Sequence, residues 1–228
     1  MHVSALARYP VKSLLGEPLD GVGIEARGLV GDRLWAVRDP DGKLGSGKSS
    51  RRFRKMDGLL QLSARYAGDV PLVRFPDGRE LAPDPALDDA LSAYVGRRVS
   101  LGRETDVPHH DDGAVHVVTT ASLRALQAGL GAPLDWRRFR PNIVLDTPGE
   151  TFVEEGWVGR ELAIGPDVVL RIVMPMPRCV MVNAAHGAIP EDRAVLRTVT
   201  EHNDGALGVL AEVVAPGMLS RGDVGALG

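Results

Sequence analysis

A single cysteine stands in this chain, Cys179, at the end of the run Pro175-Met176-Pro177-Arg178-Cys179. One thiol permits neither an intramolecular disulfide nor a cysteine-based zinc site, which takes two or more thiolates at close spacing. What remains is the chemistry of a free thiol, a single soft metal ligand or a nucleophile. The adjoining Arg178 favours the thiolate, the form that ligates metal or attacks carbon. A protease-like nucleophile needs a positioned histidine, and none of His2, His109, His110, His116, His186 and His202 has a spacing that links it to the cysteine. The competing reading is an inert core thiol, since cysteine is among the most often buried residue types.

Other residues suit an anion. Lys12 and Ser13 follow a proline turn in Tyr-Pro-Val-Lys-Ser, and Arg33 follows the glycine-rich corner Gly-Leu-Val-Gly-Asp-Arg. Arg138, Arg140 and Asn142 sit in Arg-Phe-Arg-Pro-Asn, where Pro141 disfavours a helix and an extended segment would aim both arginines to one side. A point charge, a hydroxyl and a bidentate fork are together what a phosphate takes. The basic block Lys48 to Lys55 could add to such a site, attract an acidic electron donor, or be a solvated loop. Gly45 to Ser50 resembles a phosphate-binding loop superficially, but Gly42 belongs to an Asp-Gly turn rather than a strand-to-helix junction, which argues against nucleotide hydrolysis. The run His109 to Asp112 is expected to be a solvated linker, because adjacent residues cannot converge on one ion without an unusual backbone.

The elements that must position these groups are short. The 228 residues are 44% hydrophobic and 25% charged, with formal net charge −3. With basic residues clustered locally, this composition points to a small anion and not to nucleic acid. No apolar run approaches the roughly 20 residues of a membrane span, and the N-terminus has no apolar targeting core, so a cytoplasmic protein is expected. Glycine and proline punctuation favours strands and turns. Hairpins are predicted around Asp39 to Gly42 and Pro76 to Gly78, with a short helix near Leu87, Leu91 and Tyr94 ended by Gly96. Past a charged stretch, a strand runs into a helix capped by Thr119 or Thr120, with Leu123, Leu126 and Leu130 inward and Gly131 after it. Further strands are predicted at Asn-Ile-Val-Leu-Asp-Thr, Glu-Leu-Ala-Ile-Gly, Val-Val-Leu-Arg-Ile-Val-Met and Cys-Val-Met-Val-Asn-Ala, then a strand, a Pro-Gly turn and a terminal strand. The sum is a β-rich α+β chain with few short helices, divided near residue 108.

In order along the chain, Y-P-V-K-S, G-D-R, R-F-R-P-N-I-V, E-x-x-W-x-G-x-x-L-x-I-G and P-R-C resemble the molybdenum cofactor sulfurase C-terminal (MOSC) family, over nearly the whole length. The resemblance implies an N-terminal β-barrel domain over residues 1–107 and a MOSC β-barrel domain over 108–228. It is similar in particular to amidoxime reducing components, and so implies a molybdenum cofactor that reduces N-hydroxylated small molecules by two electrons. Cys179 then aligns with the molybdenum ligand. Lys12, Ser13, Arg33, Arg140 and Asn142 fall on positions that hold the pterin and its phosphate, and Lys48 would add charge there. Thr119, Thr120 and Ser122 fall on a corner lining the same pocket, and Arg178 would tune the thiolate. The chain departs from its relatives at Pro177, where eukaryotic members carry serine, and at Thr120, where they carry an acid. With no cysteines for an iron–sulfur domain, a separate ferredoxin- or cytochrome b5-like donor is implied. The alternative is a module that holds the cofactor, or carries sulfur as a Cys179 persulfide, without this reduction.

Overall fold

A computed structural model describes residues 1–149 and 151–228. An eight-stranded sheet dominates, in the order Gly225–Leu227, Glu161–Ile164, Val168–Pro177, Ala206–Ala215, Val115–Thr119, Ile143–Asp146, His2–Arg8, Glu17–Leu19. Neighbours are antiparallel except Val115–Thr119 beside Ile143–Asp146, which are parallel. A parallel pair needs a long crossover. A helix over Thr120–Leu130 opens it. Three smaller sheets complete the β structure, one of four strands and two of three.

The predicted hairpins form for the predicted reasons. Trp35–Arg38 returns as Leu44–Ser46 through Gly42, whose φ of 77° suits glycine, while Asp39 Oδ1 accepts the Lys43 amide at 2.9 Å. Val70–Arg74 pairs with Glu80–Leu81 across Gly78 at φ 89°. The helix α1, Pro85–Val95, is capped by Asp84 and ends at left-handed Gly96; Leu87 and Leu91 are buried, but Tyr94 lies largely outside, edge-on to Phe75. In α2, Thr120–Leu130, the cap is Thr119 and the stop is Gly131. A third helix, α3, spans Ala194–Asn203.

Two strand expectations are corrected. The run after Cys179 is not a strand: Val168–Pro177 ends with two prolines that offer the ladder no N–H, and Val180–Asn183 closes into a 3₁₀ turn, with the Val182 amide donating to Cys179 O at 3.1 Å. Pro216 does not make a hairpin either, because Gly217–Ser220 leaves the large sheet and pairs with Gly21–Glu25.

Apolar packing falls into three main cores. The largest lies on the eight-stranded sheet and takes in Val3, Leu6, Val22, Ile24 and Leu29 beside residues of the C-terminal half. A second is built by Val11, Leu14, Val37, Leu62, Leu87 and Leu91. A third joins α2 and α3 to Phe139, Val182 and Leu207. A chain boundary at 107/108 is thus crossed by the packing, since residues 2–29 reach back into the C-terminal core.

Candidate functional site

The first strand leaves the large sheet at Tyr9-Pro10. Val11 and Leu14, both fully buried, plug the second core. Between them the Lys12 amide donates to Trp35 O at 2.8 Å, and its side chain faces a cavity where the cores meet. Ser13 takes φ 65° and donates to Gly45 O at 2.9 Å. Arg33 and Arg140 also have positive φ, 50° and 55°. Of four non-glycine residues in this region of φ among the described residues, three line this one cavity. Such strain persists where surrounding structure over-determines it, and functional sites are where it gathers.

The cavity holds about 930 Å³ of empty space, part of it open to solvent. Six cationic side chains line it against two carboxylates. Tyr9 organises the deepest of them: the Arg140 and Arg33 guanidinium carbons lie 4.3 and 4.8 Å from its ring centre. Asp32, itself fully buried, pairs with Arg33 and accepts the Tyr9 amide at 2.8 Å. Lys12 Nζ reaches Asp111 Oδ1 at 2.8 Å. Among the described residues the Arg140 guanidinium meets no carboxylate and donates only to Leu14 O, at 2.5 Å. Arg178 is likewise held by carbonyls, of Phe139 at 3.1 Å and Leu207 at 3.0 Å, and touches His116.

Burial without enough counter-charge shows in the pKa values. It lowers Lys12 to about 8 despite Asp111, Arg140 to about 10 and Arg178 to about 9. His116, fully enclosed and facing Arg178, is driven well below the usual imidazole range. Tyr9 is pushed up to about 12, chiefly by burial. Cations held this way gain most from a bound anion, which is the test a phosphate-bearing cofactor must meet. The sole thiol, Cys179, is exposed at the rim of the same cavity. A soft ligand at the mouth and a cationic interior fit a molybdenum cofactor.

Of the residues singled out in the sequence, Lys12, Ser13, Arg33, Lys48, Arg140, Asn142, Arg178 and Cys179 line this cavity together. Asn142 is largely committed: its Oδ1 accepts the His116 amide at 3.1 Å and its Nδ2 donates to Ala7 O at 3.3 Å. Arg138 also borders the cavity, but it is not paired with Arg140 along an extended segment. Trp136–Phe139 is a 3₁₀ turn, and Arg138 ties down the segment after Cys179 through Val182 O, Ala184 O and Pro190 O at 2.9, 3.0 and 2.7 Å.

Thr119, Thr120 and Ser122 do not line this cavity. Thr119 Oγ1 and Ser122 Oγ donate to Glu154 Oε2 at 2.7 and 2.5 Å, and Thr120 Oγ1 donates to Asp146 Oδ1 at 2.8 Å. The solvated-linker reading of His109 to Asp112 is corrected as well. His109 and His110 are buried, their pKa values lowered to about 4 chiefly by burial, and Asp111 is the partner of Lys12. No cluster of three or more metal-ligating side chains is present among the described residues. The residues that sequence reasoning missed are Tyr9, Asp32, Asp111, His116 and His186; the first two stand inside Y-P-V-K-S and G-D-R, where Lys12, Ser13 and Arg33 drew notice.

Comparison with known proteins agrees with this architecture. The family described as MOSC domain matches residues 104–224, and the MOSC N-terminal beta barrel domain matches residues 1–84. Mitochondrial amidoxime reducing component 2 of Rattus norvegicus is 38% identical over 224 residues, and mitochondrial amidoxime-reducing component 1 of Homo sapiens is 28% identical over 222. Each alignment covers 78% of this chain and 65% of the relative, so the chain spans about 65% of the length of these proteins. The YuaD protein from Bacillus subtilis superposes with a TM-score of 0.56 over 99% of this chain and 94% of that one, at 12% identity, a likeness of fold. With its sequence motifs, β-rich architecture and family match in agreement, the chain belongs to the MOSC domain family.

Proposed function

We propose that this chain binds a molybdenum cofactor and uses it to reduce N-hydroxylated small molecules. The observation that supports this most is the meeting of two features in one cavity: buried cations short of counter-charge, and the sole thiol exposed at the rim. The relatives' names, amidoxime reducing components, supply the substrate class. Residues 1–107 and 108–228 are read as the N-terminal barrel domain and the MOSC domain, with the cavity where they meet.

When bound, the cofactor would supply the two-electron chemistry R–NHOH + 2 H⁺ + 2 e⁻ → R–NH₂ + H₂O. The chain's part is to bind and orient. Cys179 Sγ would hold the metal, and its exposed position leaves a path for substrate. Lys12, Arg33 and Arg140, with the Ser13 hydroxyl, would neutralise and bond the phosphate, while Asn142 and Arg138 fix the segments that carry them. Arg178 would stabilise negative charge near the sulfur. Exposed Lys48 and Arg51 offer a cationic approach for an acidic electron-donor protein, and the reading places the protein in the cytoplasm.

The second reading, sulfur carriage on Cys179 as a persulfide, draws on the same exposed thiol. A panel of amidoximes and hydroxylamines with a chemical electron donor separates the two. The reductase reading expects amine or amidine product from molybdenum-loaded protein. Loaded protein that is inactive across the panel contradicts it, and a persulfide on Cys179 seen by intact mass would then favour sulfur carriage.

A further inference from the structure

The turn Val180–Asn183 stands between two spaces. Val182 is buried in the third core, while Val180, next to Cys179, is 60% exposed. Met181 lines the cavity at Cys179 and also a neighbouring groove with about 1250 Å³ of empty space, part of it open to solvent. Ser13 and Leu60 border both as well, so the two spaces meet along these three residues. Met181 is held there as a wall. Its carbonyl accepts from the Ala184 amide at 3.2 Å and from His186 Nε2 at 3.1 Å, and its thioether lies on Gly47, where an added Cβ would fall on the sulfur. The glycine in the Gly45 to Ser50 run thus makes room for Met181, which any side chain at that position would push aside.

The groove differs from the cavity in charge. Met56, Leu59 and Leu60 are buried beneath it, and Val180 and Met181, the two residues after Cys179, form one wall. Its ions are paired with one another, Lys55 Nζ with Asp57 Oδ1 at 3.4 Å and Arg193 Nε with Glu191 Oε1 at 2.8 Å. Its amides are engaged too: Gln61 Nε2 donates to Ala185 O at 3.1 Å, and Asn183 Oδ1 accepts the Leu196 amide at 2.8 Å. Such a lining calls for no counter-ion and suits an uncharged apolar group, and its two methionines favour an aromatic one. An amidoxime is neutral at pH 7. The amidine that its reduction leaves is a cation, which a groove without an unpaired carboxylate among the described residues holds poorly.

We infer that this groove seats the aromatic substituent of an N-hydroxylated substrate whose N–O group faces Cys179, with Met181 as the wall that limits how bulky the substituent can be. The inference rests on the reductase reading above and gives it a substrate-binding surface. It is tested on protein purified from a cofactor-making host. Without an electron donor, binding of benzamidoxime is followed by ligand-observed NMR. With reduced methyl viologen as donor, kcat/KM is compared for benzamidoxime and the bulkier naphthamidoxime. Val180→Trp puts a large ring on the groove's exposed wall, and Met181→Ala cuts that wall back.

The expected result is benzamidoxime binding about tenfold weaker in Val180→Trp, the size of an aryl group's lost apolar contact. Met181→Ala should raise the ratio of kcat/KM for naphthamidoxime over benzamidoxime by about tenfold. Benzamidoxime affinity that is the same in wild type and Val180→Trp overturns the inference, as does an unchanged ratio in Met181→Ala or a wild type that binds no benzamidoxime. Loaded wild type that reduces both amidoximes, with neither variant altering binding or ratio, overturns this inference alone. Loaded wild type that reduces neither overturns the reductase reading, and the inference falls with it.

Discussion

Glu154 and Arg140 are both charged-type side chains drawn into the interior, and the regions around them handle that in opposite ways. Around Glu154, the Thr119 and Ser122 hydroxyls converge on Oε2, Thr119 also caps α2, and burial raises the carboxyl's pKa toward the neutral form. Around Arg140, one carbonyl and one aromatic face meet the guanidinium while further cations stand nearby. Glu154 is tied to the cap of α2 through Oε2, and although its Oε1 has no hydrogen-bond partner among the described residues, burial moves the carboxyl toward the neutral form, so it serves the fold. A group of cations short of counter-charge is waiting for a ligand, because an uncompensated buried charge is costly and a bound anion relieves it.

Substitutions on each side should dissociate stability from binding. Glu154→Ala strands two buried hydroxyls and opens a cavity, so it should lower unfolding free energy by about 2–4 kcal/mol in chemical denaturation, with pyrophosphate affinity unchanged. Arg140→Met should do the reverse. Loss of charge-assisted bonds of about 1.5–3 kcal/mol corresponds to roughly 10- to 100-fold weaker pyrophosphate binding by calorimetry, with stability kept or raised. If both variants lost both properties, the two regions would be one structural unit and the contrast would be broken.

Acidity sharpens the contrast further. Lys12 in the fold titrates near 8, below its ordinary 10.5, so between these values the unfolded chain holds more protons than the folded one. Apo stability contributed by this group should therefore rise as pH rises from 8 toward 10. Lys12→Met should be more stable than wild type at pH 7 and lose that advantage by pH 10, as thermal unfolding will show. Saturating pyrophosphate should flatten the wild-type curve by holding Lys12 charged. The smallest expected effect is on Cys179: because the thiol is exposed, Cys179→Ser should shift stability by less than about 1 kcal/mol while removing a soft metal ligand.

Local rules carried the sequence reading a long way. Asp39 to Gly42 and Phe75 to Gly78 turn as their residues dictate, and Gly96 and Gly131 stop their helices. The family resemblance brought Lys12, Arg33, Arg140 and Cys179 together across the whole chain, which spacing alone could not do. The errors came where long-range partners decide. Thr119 and Ser122 read as site residues because Glu154, more than 30 positions on, is invisible to local pattern. The stretch after Cys179 reads as a strand from its valines, but Arg138 claims its carbonyls and bends it into a 3₁₀ turn. His109 to Asp112 reads as solvated because nothing nearby in sequence reveals Lys12 and Asp32 as neighbours.

The measurement that tests the central claim most directly is molybdenum content, by metal mass spectrometry, of protein purified from a cofactor-making host. Wild type, Cys179→Ala and Glu154→Gln are compared. The account predicts near-stoichiometric metal in wild type and in Glu154→Gln, and its loss in Cys179→Ala. Wild type that carries no molybdenum would contradict it, and equal metal in wild type and Cys179→Ala would remove the thiol from the metal.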